Sequence, residues 1–150
     1  MEADTLQKDR LLYVGQKAII NKEGKILILH DPVIDAIDIP GGKVQEGEND
    51  FPSALKREVK EETSLTIDII RPFHTDYWEF PPDSLHRNAG KQIYLIYFFC
   101  RYVSGEVKIS EEHDWHKWID QSEIEKYFHT KTRLYNALSD YFRLLKINKI

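Results

Sequence analysis

A glycine pair, an acidic loop and a run of charged residues follow one another from Gly41 to Leu65, and this stretch restricts the fold more tightly than any other part of the chain. Residues Ala54 to Glu62 contain no helix breaker, and Pro52 suits the first turn of a helix, where a missing N–H costs nothing. The stretch predicts a turn followed by a helix. Helical side chains three and four positions apart share a face, so Glu58, Glu61 and Glu62 fall within one arc, bordered by Leu55 and Val59. Lys56 and Lys60 point the other way. The acids therefore lie beside the core-facing stripe while the lysines take the solvent.

That arrangement is electrostatically costly. Glu58 and Glu62 are like charges at i and i+4, which destabilise a helix, and apolar surface beside them raises the cost. A hard divalent cation held by oxygen ligands removes the conflict. The alternative is a solvated charged helix laced with ion pairs, Arg57 to Glu61 among them. The glycines favour the metal. Gly41 and Gly42 follow Pro40 directly and permit backbone conformations that bring a carbonyl or an N–H close to an ion or phosphate.

In Gly42, Glu48, Arg57, Glu58, Val59, Glu61, Glu62 and Leu65 the stretch resembles the Nudix box of the Nudix hydrolase family. It departs from that pattern twice. Eight residues rather than seven separate Glu48 from Arg57, and Ser64 stands where the family has glycine. The extra residue falls among Asn49, Asp50, Phe51 and Pro52, ahead of the helix, so the register within the helix survives. Ser64 lies just past the predicted helix end, where glycine favours a left-handed cap.

With 150 residues, 41% hydrophobic and 31% charged, the chain has the size of one globular domain, expected to span 1–150 with a loose N-terminal arm over about 1–10. A net charge of -4 argues against binding a nucleic acid polymer through its phosphates, but leaves small phosphorylated ligands open if a metal supplies positive charge. Cys100, the single cysteine, reads as a small core residue. The N-terminus lacks the basic end and long apolar segment of a signal peptide, and no run reaches the length of a membrane span. A cytoplasmic address and no membrane partner are expected.

Strands are predicted at Tyr13–Ile20 and Ile26–Leu29, joined by a turn over 21–25, with Ala36–Ile39 delivering Pro40-Gly41-Gly42. After the helix, Leu65–Ile70 reads as a strand ended by Pro72, and His74–Phe80 as a separate aromatic strand. Residues 81–90 form a loop, and Lys91–Val103 is the candidate central strand, from which Ser104-Gly105 turns into Glu106–Ile109. Trp115–Ile119 is a short strand before a helix capped by Asp120 or Ser122. Leu134, Leu138, Phe142 and Leu145 recur at helical spacing, so the C-terminal region from Thr130 is an amphipathic helix packed on the sheet. The order of elements is that of an α/β fold.

The resemblance implies more: the Nudix fold, a mixed β-sheet sandwiched between α-helices. It implies metal ligands at Glu58, Glu61, Glu62 and the Gly41 carbonyl, holding Mg²⁺ with Mn²⁺ as a substitute. Arg57 would orient the neighbouring glutamates, and Glu48 would tie the loop to the helix or bind a metal-bound water. Glu58 or a later-loop residue would be the general base. Glu112 is the candidate for that residue and a further metal ligand, against the alternative of a solvated acidic loop. Glu58, Glu61, Glu112 and Arg57 thus make up the expected catalytic set. Tyr77, Trp78, Arg87 and Lys91 are candidates for substrate binding, although the aromatics can equally be core or surface. His113 and His116 read as surface residues, since a hard-metal site has no need of imidazole.

The activity implied is Mg²⁺-dependent hydrolysis of a phosphoanhydride, with a nucleoside triphosphate pyrophosphohydrolase of the nucleotide-sanitising kind first. The alternatives are a hydrolase of ADP-ribose, nucleotide sugars or dinucleoside polyphosphates, or a non-catalytic nucleotide-binding module. A homodimer is expected from the resemblance alone.

Overall fold

Alternation in the strands sets the layers, because successive side chains point to opposite faces. The computed structural model of the chain describes residues 8–147. Residues 1–7 of the expected N-terminal arm lie outside the described residues. In β1 (Tyr13–Lys22), Ala18 and Ile20 enter one core and Ile19 the other; in β2 (Lys25–Asp31), Leu27 and Leu29 join the first, Ile26 and Ile28 the second. Strands buried on both faces need a helical layer on each, and the chain supplies them.

Glu23 and Gly24, both at positive φ, make the two-residue turn between β1 and β2, a geometry that follows the strands' right-handed twist. β3 (Ala36–Asp38) pairs antiparallel with β2, and β4 (Gly41–Lys43) antiparallel with β1. Next comes α1 (Phe51–Thr63), then β5 (Thr66–Glu79), β6 (Gln92–Ser104) and β7 (Trp115–Ile119), which pairs with β2. A 3-10 turn over Gln121–Glu123 leads into α2 (Ile124–Tyr127), and α3 (Arg133–Lys146) closes the described chain. β1 runs parallel to β6 and antiparallel to β2 and β4, so the sheet is mixed, with the path β3-β2-β1-β6-β5.

α1 lays Leu55 and Val59 on one face of the sheet, against Leu27, Leu29 and Phe98. α3 lays Leu134, Leu138, Tyr141 and Phe142 on the other, against Ile19, Tyr97 and Phe99. Each such apolar side chain contributes about 1.5–3 kcal/mol on burial, before the entropy of ordering is set against it. Cys100 is buried in the α1-side core.

The structure corrects one strand reading. Pro72 does not end a strand: β5 continues through it, and the expected pair of strands is one. β5 lies at the end of the sheet path, where a missing N–H is tolerated, and register shifts at Ile69/Arg71 and Pro72/His74 take up the distortion. Residues Glu106–Ile109, after the Ser104-Gly105 turn, have no regular secondary structure. They cross the C-terminal end of α1, where Lys108 N donates to Thr63 O and Ser110 N to Glu62 O, satisfying carbonyls the helix leaves open.

Candidate active site

Asp50 caps α1, accepting from Ser53 N, and Phe51 and Pro52 fill its first turn. The extra residue is therefore absorbed in the helix start. At the other end Ser64 adopts the left-handed conformation at φ 65° and its N–H reaches Lys60 O. The carbonyl of Lys108 accepts from its hydroxyl.

Close approach of backbone demands glycine at Gly41, and at Gly42 the absent Cβ leaves room for the end of the Glu58 side chain. A Cβ on Gly41 would stand 2.0 Å from the Gln16 carbonyl oxygen, and one on Gly42 would stand 2.4 Å from the carboxyl carbon of Glu58. The bare backbone lets β4 pair with β1 while the Glu58 carboxylate rests on it. Glu62, only 8% exposed, accepts from Gly41 N at 3.3 Å. Its carboxyl is pushed up to about 8, chiefly by burial; Lys17 pulls the other way, and Asp38 and Glu58 add to the rise. Burial also raises Glu58, with Arg57 opposing.

Arg57 is the hub that joins loop to helix. Its Nε and Nη2 donate to the two oxygens of Glu48 at 3.0 and 2.8 Å, Nη2 also to Glu58 at 2.9 Å, and Nη1 to Glu61 at 3.0 Å. The Glu48 carboxyl is held below its usual value, first by Arg57 and then by the Gln45 N–H. A bidentate fork of this kind fixes direction as well as distance. Glu61 is exposed and Glu58 and Glu62 are turned inward.

Glu58, Glu61, Glu62 and Gly41 line a cavity of about 510 Å³, together with Glu112, Arg87 and Trp78. Glu112 and Arg87, from two different loops, form an ion pair at 3.0 Å at its rim. Arg57 is not among the lining residues and acts through the acids it holds. Tyr77 and Lys91 also lie outside the lining. The Tyr77 hydroxyl accepts from Arg10 at 2.7 Å, and Lys91 Nζ donates to Asn88 Oδ1 at 3.4 Å, the oxygen that Lys43 Nζ reaches at 2.6 Å. Burial first, and Lys91 second, push the Lys43 ammonium down to about 8. His113 departs from its surface reading: it is half-buried, lines the cavity, and its Nδ1 is buried without a hydrogen bond among the described residues. His116 is exposed.

Lys17, Asp38, His86 and Arg133 line the cavity too and were not singled out from the sequence. A signal did exist for the first two. Lys17 interrupts the apolar run of β1 and Asp38 stands between Ile37 and Ile39, and a charge inside a buried strand needs a partner. They are each other's, at 2.6 Å.

Among the described residues, no group of three or more His, Cys, Asp or Glu side chains converges in a metal-binding arrangement, because Arg57 draws Glu58 and Glu61 to itself. The donor set nevertheless fits an oxygen-coordinated divalent cation. Glu62 is a buried acid whose charged form is disfavoured where it stands, beside Glu58 and the Gly41 backbone.

Comparison with known proteins agrees with this geometry. The NUDIX domain family model matches residues 14–140, and the chain belongs to that family, whose enzymes hydrolyse phosphoanhydride bonds and generally use a divalent metal. The nucleoside triphosphatase NudI of Escherichia coli is 33% identical over 97 residues, covering 59% of this chain and 64% of the relative's length. The MutT protein of Methanosarcina mazei superposes with a TM-score of 0.74 at 24% identity, over 96% of this chain and 100% of that one. An Ap4A hydrolase of C. elegans superposes at 0.72 and 21% identity, over 90% and 98%. These likenesses confirm the mixed sheet between helices. Among the described residues no helix is long and apolar enough to cross a membrane.

Proposed function

We propose that this chain is a nucleoside triphosphate pyrophosphohydrolase that uses Mg²⁺, with water splitting the α–β anhydride to give a nucleoside monophosphate and pyrophosphate. Family membership supports the bond class, and the 33% identity to a nucleoside triphosphatase, over 64% of that protein's length, supports the substrate class. The observation that carries the reading is the buried Glu62 carboxylate, set against Gly41 and beside Glu58 at the floor of an open cavity. Burial disfavours the charged form of this acid where it stands, and a cation would offset that cost.

Glu58, Glu62 and the Gly41 carbonyl would hold the ion, with Glu61 and Glu112 lining the same cavity. When bound, Mg²⁺ supplies charge neutralisation on the non-bridging phosphate oxygens and acidifies water. Glu58 would accept the proton from the attacking water, and its carboxyl, raised by burial, takes a proton at less cost than an exposed acid. Arg57 keeps that carboxylate aimed while its contact with Glu48 holds the loop closed against the helix. Lys43 and Arg87 line the same cavity and would meet the phosphate chain there.

The test is Glu62→Gln, assayed for pyrophosphate release with Mg²⁺ across the common nucleoside triphosphates. The variant is expected to fold and to lose turnover by on the order of 1,000-fold, since metal ligation supplies several kcal/mol of transition-state stabilisation. Parent-like turnover in that variant contradicts the assignment.

A further inference from the structure

Asp38 of β3 lines the same cavity as the acids of α1 and Trp78 of β5. Its Oδ2 accepts from Lys17 Nζ at 2.6 Å and its Oδ1 from the Ile39 N–H at 2.8 Å. Burial opposes its ionisation, but Lys17 and, more weakly, Arg133 hold the carboxyl below the ordinary value. The group is an anion at neutral pH and accepts hydrogen bonds without donating any. Each oxygen keeps a second lone pair after its one protein contact. Lys17 is committed elsewhere, since its ammonium also lies 3.4 Å from the Ile39 carbonyl.

Trp78 supplies a flat surface in the same cavity, and Arg133 relates the two, its charge acting on the Asp38 carboxyl and its guanidinium standing over the Trp78 ring. The Arg133 guanidinium stands 4.8 Å from the centre of the indole ring and is itself fixed by the Tyr97 hydroxyl at 2.7 Å. The indole remains 37% exposed, and it lines the cavity with Phe80. A planar heterocycle stacked there presents its edge to a carboxylate.

We propose that Asp38 determines base specificity, its two oxygens receiving the adjacent ring N–H and exocyclic amino group of a guanine-type base stacked at Trp78. The assignment rests on reading the cavity as a nucleotide site. Adenine and cytosine carry a ring-nitrogen lone pair beside the amino group, which a carboxylate repels, and uracil offers one N–H between two carbonyls. Among the common bases guanine alone sets two donors side by side.

The experiment compares kcat/KM for GTP, ITP and XTP in the parent and in Asp38→Asn. ITP keeps the ring N–H and lacks the amino group, and XTP puts an oxygen in its place. A charge-assisted hydrogen bond to the amino group predicts GTP favoured over ITP by about tenfold or more, with XTP lower still. In Asp38→Asn the GTP-to-ITP ratio falls towards one, and a ratio cancels any general loss of activity. Tryptophan fluorescence titration of the parent with GDP and IDP reads the same preference without turnover. If no triphosphate is cleaved but GDP binds about tenfold tighter than IDP, the proposed reaction fails and this assignment stands. Equal affinities for GDP and IDP, or a GTP preference that survives in Asp38→Asn, overturn it.

Discussion

The acidic part of the cavity wall comes mainly from one continuous segment, Gly41 to Glu62, whereas another part draws Lys17 from β1, where it pairs with Gly41, Asp38 from β3, Trp78 from β5 and Arg133 from the start of α3. The first part is held by local means: a helix cap, a glycine pair and one arginine that binds three acids. The second exists only because the sheet and α3 bring residues distant in sequence to the lining of one cavity. Its ion pair is also satisfied within the protein, Lys17 against Asp38, while the acids of α1 are crowded and partly unneutralised. The difference teaches where each kind of chemistry resides. On the proposed reading, catalytic charge is stored in a self-contained unit, and selectivity is left to residues that only the fold assembles.

Four expected outcomes break or sharpen that contrast. The largest is the loss of turnover, on the order of 1,000-fold, in Glu62→Gln. Next is Arg57→Leu, which removes the fork joining Glu48, Glu58 and Glu61. Turnover should fall roughly 10- to 100-fold, as for residues that orient metal ligands, and steady-state kinetics over a Mg²⁺ titration should show a weaker metal dependence. A parent-like Mg²⁺ profile would mean that the acids need no orienting.

The third outcome concerns pH in the presence of a chelator. Glu62 is raised from 4.5 to about 8 in the folded protein, so the folded state binds the proton more tightly than the unfolded chain. Metal-free stability is therefore greatest at acid pH with respect to this group and declines as pH rises from about 4.5 to about 8. Thermal melts of the parent should show this slope, Glu62→Gln should flatten it, and saturating Mg²⁺ should reverse it at the alkaline end. At 100 times Kd the ion adds about 2.7 kcal/mol. The smallest effect is Asp50→Ala. Loss of the α1 cap should cost about 1 kcal/mol by denaturant unfolding, with little change in the second part of the cavity wall.

This contrast also explains what could be read from the sequence. The glutamate arc, the glycine pair and the Arg57 to Glu61 contact were legible because spacing on one helix fixes which side chains are neighbours. Part of the core was legible too, from the long apolar run of β6 and the 3.6-residue period in α3. Pro72 misled, because a proline stops a central strand but not an edge strand, and edge position is a property of the whole sheet. Arg133 and Tyr97 are 36 residues apart, and nothing local announces that the guanidinium of one is clamped by the hydroxyl of the other beside Trp78. The cavity placement of His113 likewise follows from the path of residues 106–114 over α1, which carries no periodic signal.

The most direct measurement is a crystal soaked in Mn²⁺ and read by anomalous scattering, for the parent and for Glu62→Gln. An ion is expected in the parent within about 2.0–2.4 Å of Glu62, Glu58 and the Gly41 carbonyl, distances set by hard-cation oxygen coordination, and absent or depleted in the variant. A parent crystal in which Glu58 and Glu62 keep their present partners with no anomalous density between them would contradict the account.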